Sequence, residues 1–337
     1  MATIKDIARE AGVGVGTISR FINGVPLKPE TEARVRDAID RLGFERNAIA
    51  RGLRTRRTRT VGVVIPNFAD IYGSTMVREL EEGLAAEDYS ILVCDSANSM
   101  QQEQAKLRML LSRKVDALFL YPCKSDLSYL ATIKELGPTG GVPVVVGDML
   151  ASGFPCDQVR TDNRKAVRDA VETLLKAGHR RIGLISGPEG YFTAETRRQG
   201  YLQAYDTAGI PPSPELIHMT LFDEAGGRTA MAGLLSLPEP PDAVIACNYY
   251  TTLGAVQEIL DRGVRMPDEL ALIGFDNLGV SAMVRPPLSI IVQPMEAIGR
   301  EAAALLIRRM NGDWTGFPTL LELEAHLVLK GSTRPMP

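Results

Sequence analysis

From residue 61 onward the chain repeats one pattern, a short unbroken apolar run followed by a stretch at helical spacing. The runs cover 61–65, 91–94, 117–120, 142–146, 182–186, 243–247, 270–274 and 290–292, and most are rich in β-branched residues. Strands that are apolar on both faces must be covered on both faces, so the pattern predicts parallel sheets flanked by helices. About 270 residues exceed one such unit, and two α/β lobes are expected. Ligands of open α/β sheets sit beyond the carboxyl ends of the strands. Asn67, Asp70, Tyr72, Asp95, Asn248, Asp276 and Gln293 follow predicted strands and are the first pocket candidates.

The first 60 residues follow a different period. In TIKDIAREAGVGVGTISRFIN, Ile4, Ile7, Ala8 and Ala11 recur at helical spacing, and Thr3 with Asp6 fits a capping box. Gly12-Val13-Gly14 breaks that helix, and Ile18, Phe21 and Ile22 start a second period. Two short helices joined by a Gly-containing turn describe a helix-turn-helix. The second helix turns Val15, Gly16, Thr17, Ser19, Arg20 and Asn23 outward. Small groups permit close approach to base edges, an Arg fork matches guanine O6 and N7, and hydroxyls or amides suit phosphate oxygens. Gly12, Gly14 and Gly16 do not form a dinucleotide-binding loop, because a helix and not a strand precedes them. A third helix opens at Pro29 or Glu30, buries Val35, Ala38, Ile39 and Leu42, and closes at Gly43.

Charge separates the two regions. Residues 1–60 hold 13 Lys/Arg against 7 Asp/Glu, whereas the remainder holds 25 against 34, giving the net charge of −3. A basic head on an acidic body places polyanion contact at the head. Six arginines fall in ERNAIARGLRTRRTRT, residues 45–60. This segment reads either as a basic linker or as a linker that folds on DNA, with Leu53 as an apolar wedge for a minor-groove step. Gly52 lowers its helix propensity by about 1 kcal/mol relative to Ala, so a helix there should not persist alone.

The amino terminus does not resemble a signal peptide, and no apolar run approaches the roughly 20 residues of a membrane span. A soluble, cytoplasmic protein is expected. Cys94, Cys123, Cys156 and Cys247 are scattered without a CxxC pair, which favours reduced, buried thiols over a disulfide or metal site. His179, His218 and His326 have no nucleophile near them in sequence, and no phosphate loop appears. The sequence therefore offers no catalytic residue, cofactor or metal, and the protein is not expected to be an enzyme. A solute-binding protein for a transporter is disfavoured by the basic head and the missing signal peptide.

These motifs, together with RNAIARGL, the DN163-to-GHRRIGLISG187 segment, ETRRQGY201, PDAVIACN248 and IGFDN277, occur in an order that resembles the LacI/GalR family of bacterial transcription regulators over nearly all 337 residues. The resemblance implies a multi-domain chain: an all-α helix-turn-helix headpiece over 1–45, a hinge helix over 46–60, and a two-lobed periplasmic-binding-protein-like core. The lobes would comprise 61–160 with 291–320, and 161–290 with 321–334. It implies a homodimer on a near-palindromic double-stranded operator, most simply as a repressor, with a sugar, sugar acid or similar small effector in the cleft. Residue by residue it assigns base reading to Val15, Gly16 and Arg20, phosphate contact to Thr3, Thr17, Ser19 and Asn23, and the wedge to Leu53. Asn47 and Arg51 join this DNA-contacting set.

In the core the resemblance assigns Arg197 to a ligand carboxylate or hydroxyl, Asp276 to ligand hydroxyls, and Tyr72 and Phe222 to packing on the ligand, beside Asp70, Asn248 and Gln293. The chain departs from the family pattern at Gly14, where Ser is usual, at Arg46, where Pro is usual, and at Asp70, where Asn is usual. Tyr249 replaces an Asp, which predicts a pocket with one more ring and one acceptor fewer. The last residues carry no heptad repeat, so a coiled-coil tetramer is not expected. If Leu53 acts as the wedge, Leu53→Ala weakens specific DNA binding far more than non-specific binding; equal losses in a paired titration would remove that role.

Overall fold

The computed structural model describes residues 2–22, 25–44, 57–138, 141–276 and 278–333. The chain divides into two compact units, 1–58 and 59–337.

In the first unit, α1 (Ile4–Glu10), α2 (Val15–Ile22) and α3 (Pro29–Leu42) form a three-helix domain. The capping box forms as expected: the Thr3 backbone N–H donates to Asp6 Oδ2 at 2.9 Å, and Asp6 N donates to the Thr3 hydroxyl at 3.3 Å. Pro29 occupies the first turn of α3, and Gly43 ends it in a left-handed conformation. Ile7, Ala8, Ala11, Ile18, Val35 and Ala38 make the core, with Phe21, Ile22, Ile39 and Leu42 packed against it. Ile4, expected to point inward, is exposed, because it opens α1 one turn before Ile7 and Ala8 and the core does not reach it.

The second unit holds two six-stranded sheets. The first comprises β1 (Thr60–Ile65), β2 (Ser90–Asp95), β3 (Ala117–Leu120), β4 (Val144–Gly147), β5 (Asp157–Thr161) and β11 (Leu320–Leu323), ordered β11-β5-β4-β3-β1-β2 and parallel throughout. The second comprises β6 (Ile182–Ser186), β7 (Ile217–Met219), β8 (Ala243–Ala246), β9 (Ala271–Phe275), β10 (Ser289–Val292) and β12 (His326–Val328), ordered β12-β10-β9-β8-β6-β7. Only β12 runs antiparallel to its neighbour.

All eight apolar runs are strands, with ends shifted by at most two residues. The four strands that sequence patterning did not reveal are β5, β7, β11 and β12. Three of these are sheet edges, where one side faces outward and apolar runs are not required. The fourth carries Asp157 and Arg160, whose charges are satisfied laterally. The expected lobe boundaries move accordingly. Thr161 ends β5 in the first sheet, Ile291 and Val292 belong to the second, and Leu321–Leu323 return to the first. Thr60, expected in the linker, opens β1.

Around the sheets lie α4 (Ile71–Ala85), α5 (Met100–Ser112), α6 (Asn163–Lys176), α7 (Phe192–Thr207), α8 (Glu224–Leu235), α9 (Tyr249–Asp261), α10 (Leu278–Met283) and α11 (Met295–Met310). Helices α4 and α11 pack so closely that a Cβ on Gly299 would lie 2.4 Å from the Met76 carbonyl oxygen. Only Gly permits that approach.

One buried ion pair ties α11 to the first sheet. Arg309 Nε and Nη2 donate to Asp157 Oδ2 and Oδ1 at 2.8 and 3.0 Å, and both side chains are fully buried. Thr319 N adds a third donor to Asp157 at 2.7 Å. The guanidinium also lies against Trp314 and Phe317, 5.6 and 5.5 Å from the ring centroids. Arg309→Leu would strand a buried carboxylate and should cost about 3–5 kcal/mol of core stability in urea unfolding. Adding Asp157→Leu to the same chain should recover much of that loss.

Candidate functional site

In the first unit, Val15, Gly16 and Arg20 are exposed on α2, and Thr17 and Ser19 are half-buried beside them. Arg20 Nη2 approaches the Thr17 hydroxyl at 3.4 Å, one helical turn away. A Cβ placed on Gly14 or Gly16 would meet nothing within 4 Å, so the headpiece fold does not itself require glycine there. Thr3 is exposed, and its hydroxyl donates to Asp6 Oδ2 at 2.6 Å within the cap. The expected contacts Asn23, Asn47, Arg51 and Leu53 lie outside the described residues.

In the second unit, a cavity of about 180 Å³ opens at the carboxyl ends of the strands. An engineered apolar cavity of about 150 Å³ holds a benzene, so there is room for at least one ring. Asp70 and Tyr72 line it from the first lobe, and Arg197, Phe222, Asn248, Asp276 and Gln293 from the second. Asn67 also lines it. Asp95 does not; its carboxylate accepts from Phe68 N at 3.0 Å and Ala97 N at 2.6 Å, which braces the loop after β1.

Arg197 is the buried centre of the site. Its Nε donates to Asn163 Oδ1 at 2.8 Å, its Nη2 to Gln293 Oε1 at 3.1 Å, and its Nη1 to the Cys247 carbonyl. The guanidinium stacks on Phe275, 4.3 Å from the centroid, and lies 5.8 Å from that of Phe222. The Phe222 ring is seated directly on Gly187, where any Cβ would fall 2.2 Å from it. Asn248 caps α9 by accepting from Thr251 N at 2.8 Å, and its amide reaches the Phe222 carbonyl at 3.4 Å.

Sequence reasoning missed several lining groups. Tyr121 and Asp148 stand directly after β3 and β4, so the strand-end rule would have reached them had it been applied to every strand. Tyr191, Thr193 and Tyr250 come from the starts of helices and carry no comparable signal. Tyr249 lines the cavity and stacks edge-on with Tyr250 at 5.0 Å. The additional ring is present, and Asp148 supplies a carboxylate that the expected shortage of acceptors overlooked.

Asp148 is 3% exposed, and Tyr72 donates its hydroxyl to Oδ1 at 2.6 Å. Burial pushes its carboxyl up to about 7, against the opposing pull of Tyr72 and Arg197. Burial likewise raises Asp276 to about 6, although Gln293 Nε2 donates to its Oδ1 at 2.8 Å. Asp70, capping α4, is raised by burial too. Burial holds the Cys123, Cys156 and Cys247 thiols protonated by pushing each up to about 12. Among the described residues, no cluster of His, Cys, Asp and Glu could hold a metal ion. His179 places Nδ1 3.3 Å from Asp242 and does not line the cavity.

A carboxyl whose folded value exceeds its unfolded one keeps its proton while the unfolded chain loses it. Asp148 therefore opposes folding increasingly as pH rises from about 4 to about 7, by on the order of 1 kcal/mol per pH unit. Asp148→Asn should stabilise the core more at pH 8 than at pH 4.5, a difference that urea unfolding at the two pH values would read.

Comparisons with known proteins agree with both units. Residues 3–47 match the family described as bacterial regulatory proteins, lacI family, and residues 171–333 match a periplasmic binding protein-like domain. The HTH-type transcriptional repressor CytR of Escherichia coli strain K12 is 34% identical over 337 residues, spanning 100% of this chain and 97% of that protein. Catabolite control protein A of Priestia megaterium is 33% identical over 98% of this chain and 99% of that protein. The solved transcriptional regulator CelR–cellobiose complex shares 31% identity at a TM-score of 0.74, covering 98% of this chain and 100% of that one. The Lac repressor dimer bound to operator and the anti-inducer ONPF, at 22% identity and a TM-score of 0.86, shares the fold over 98% of this chain and 99% of its own. With a helix-turn-helix headpiece, a two-lobed α/β core and relatives alike over its whole length, the chain belongs to the lacI family of bacterial regulatory proteins.

Proposed function

We propose that this protein is a cytoplasmic, effector-responsive transcriptional repressor, not an enzyme, that binds a near-palindromic operator as a homodimer. The observation that carries this reading is the pairing, in one chain, of a polar helix face on a three-helix unit followed by an arginine-rich segment with a polar, ring-lined cavity in the core. Thr3, Thr17 and Ser19 contact phosphates, with Asn23, Asn47 and the arginines of 46–59 adding salt-dependent affinity. Arg20 reads guanine in the major groove beside Val15 and Gly16, and Leu53 wedges into a central minor-groove step. One headpiece reads a half-site, so a two-fold protein matches a palindrome.

The effector is a sugar or a related small polar metabolite held by Arg197, Asp276, Asn248, Gln293 and Asp70 between the rings of Tyr72 and Phe222. CelR, alike over 98% of this chain, was solved as a complex with cellobiose, a sugar. The effector alters operator affinity only through unequal affinity for two states of the core.

Selection of random duplex DNA on the full-length protein at physiological salt tests the reading. A two-fold palindrome with a flexible central step is expected. No enrichment, with or without pooled sugars and sugar acids, would overturn it. On the selected site, Arg20→Ala should cost about 1–3 kcal/mol and relax preference at one base pair in each half-site.

A further inference from the structure

We propose that the effector carries a basic amino group among its hydroxyls, as an amino sugar does, and that the cavity excludes phosphorylated and carboxylated ligands. This inference rests on the effector reading above and narrows it.

The argument begins with the balance of charge inside the cavity. Asp70, Asp148 and Asp276 all line it, and Arg197 is the single Lys or Arg among the described lining residues. That cation is already partly committed: neutral acceptors take three of its five N–H groups, one on each nitrogen, and its face lies on Phe275. An incoming anion could reach only the two remaining N–H groups and would meet three acidic side chains around them. Burying a further uncompensated negative group is strongly unfavourable. Anionic ligands are therefore rejected by the same groups that would welcome a cation.

The second observation is Asp148 itself. It is almost fully buried, yet only Oδ1 has a partner, the Tyr72 hydroxyl, and no described residue donates to Oδ2. The groups facing it are Tyr72 from α4, whose hydroxyl also meets Thr161 of β5, Asp70 before that helix, Tyr121 after β3, Tyr191 and Arg197 from the start and body of α7, and Asp276 after β9. Apart from Arg197 none of these brings positive charge. A neutral hydroxyl would satisfy the free oxygen without offsetting the charge, whereas an ammonium does both with three donors. The raised Asp148 and Asp276 describe carboxyls that hold protons for want of such a cation.

The test uses the full chain and matched probes: glucose, glucosamine, glucuronic acid and glucose 6-phosphate, and the galactose series likewise, followed by calorimetry and thermal unfolding. At pH 7.5 an amino member should bind at least ten-fold more tightly than its parent, and the acids and phosphates should not bind. Its affinity should rise as pH goes from 5.5 to 7.5, approaching ten-fold per pH unit for each proton released. Asp148→Asn should remove that preference, so that the amino member and its parent bind within a few-fold of each other. Should that variant fail to fold, the pH profile of the unaltered chain decides. Equal or tighter binding of a neutral or anionic member, a flat pH profile, or no binding by any amino member overturns the inference. If a neutral or acidic sugar binds and changes operator affinity, the repressor reading stands and only its amino refinement falls. If no small molecule of any charge shifts unfolding or operator binding, both fall.

Discussion

The guanidinium of Arg197 is the interaction on which the core depends. A buried cation is tolerable only when every charge-bearing edge meets an acceptor or a ring face, and here the acceptors come from distant parts of the chain. Asn163 opens α6 just after the first crossing between sheets, Gln293 follows β10 just before the second, and Cys247 follows β8. One side chain therefore fastens two crossing segments to a central strand of the second sheet. It also fixes the floor on which Phe222 and Phe275 rest.

The lobes meet around this centre through modest contacts. Tyr250 donates its hydroxyl to the Ala69 carbonyl at 3.3 Å across the cleft. Phe192, from the second lobe, lies under Arg160 of β5, whose guanidinium pairs with Glu322 of β11. Tyr191 and Phe192 also pack on the apolar cluster behind β3 and β4. Each lobe keeps its own apolar core on both faces of its sheet, so the acids of the cleft, unlike Arg197, are not needed to hold the lobes folded. That division suits a sensor, because groups that cost stability, such as the buried acids, can be kept where a ligand offsets them.

Much of this was legible in the residues. The capping box at Thr3 and Asp6, the break at Gly12 and the αL stop at Gly43 are local, since each depends on neighbours within one helical turn. Most of the eight predicted strands were legible because burial on both faces forces unbroken apolar runs. The edge strands β7, β11 and β12 were not, because they need only one covered side and mix polar with apolar residues. Asp157 and Arg160 made β5 look like a loop, although Arg309 and Glu322, far along the chain, satisfy them.

The sequence by itself determined the helix-turn-helix, the alternation of strands and helices, the basic head on an acidic body, and the positions where strands end. These follow from periodicity, capping and charge, all short-range properties of a chain. Tertiary structure alone decided that Asp148 joins Asp70 and Asp276 around one arginine, and that Asn163 and Gln293 hold that arginine from two of the three crossings. It also decided that Asp95 braces a loop and stays out of the cavity. Those outcomes depend on which strand ends converge once two sheets face each other, and convergence is a property of the packed molecule that no local pattern encodes.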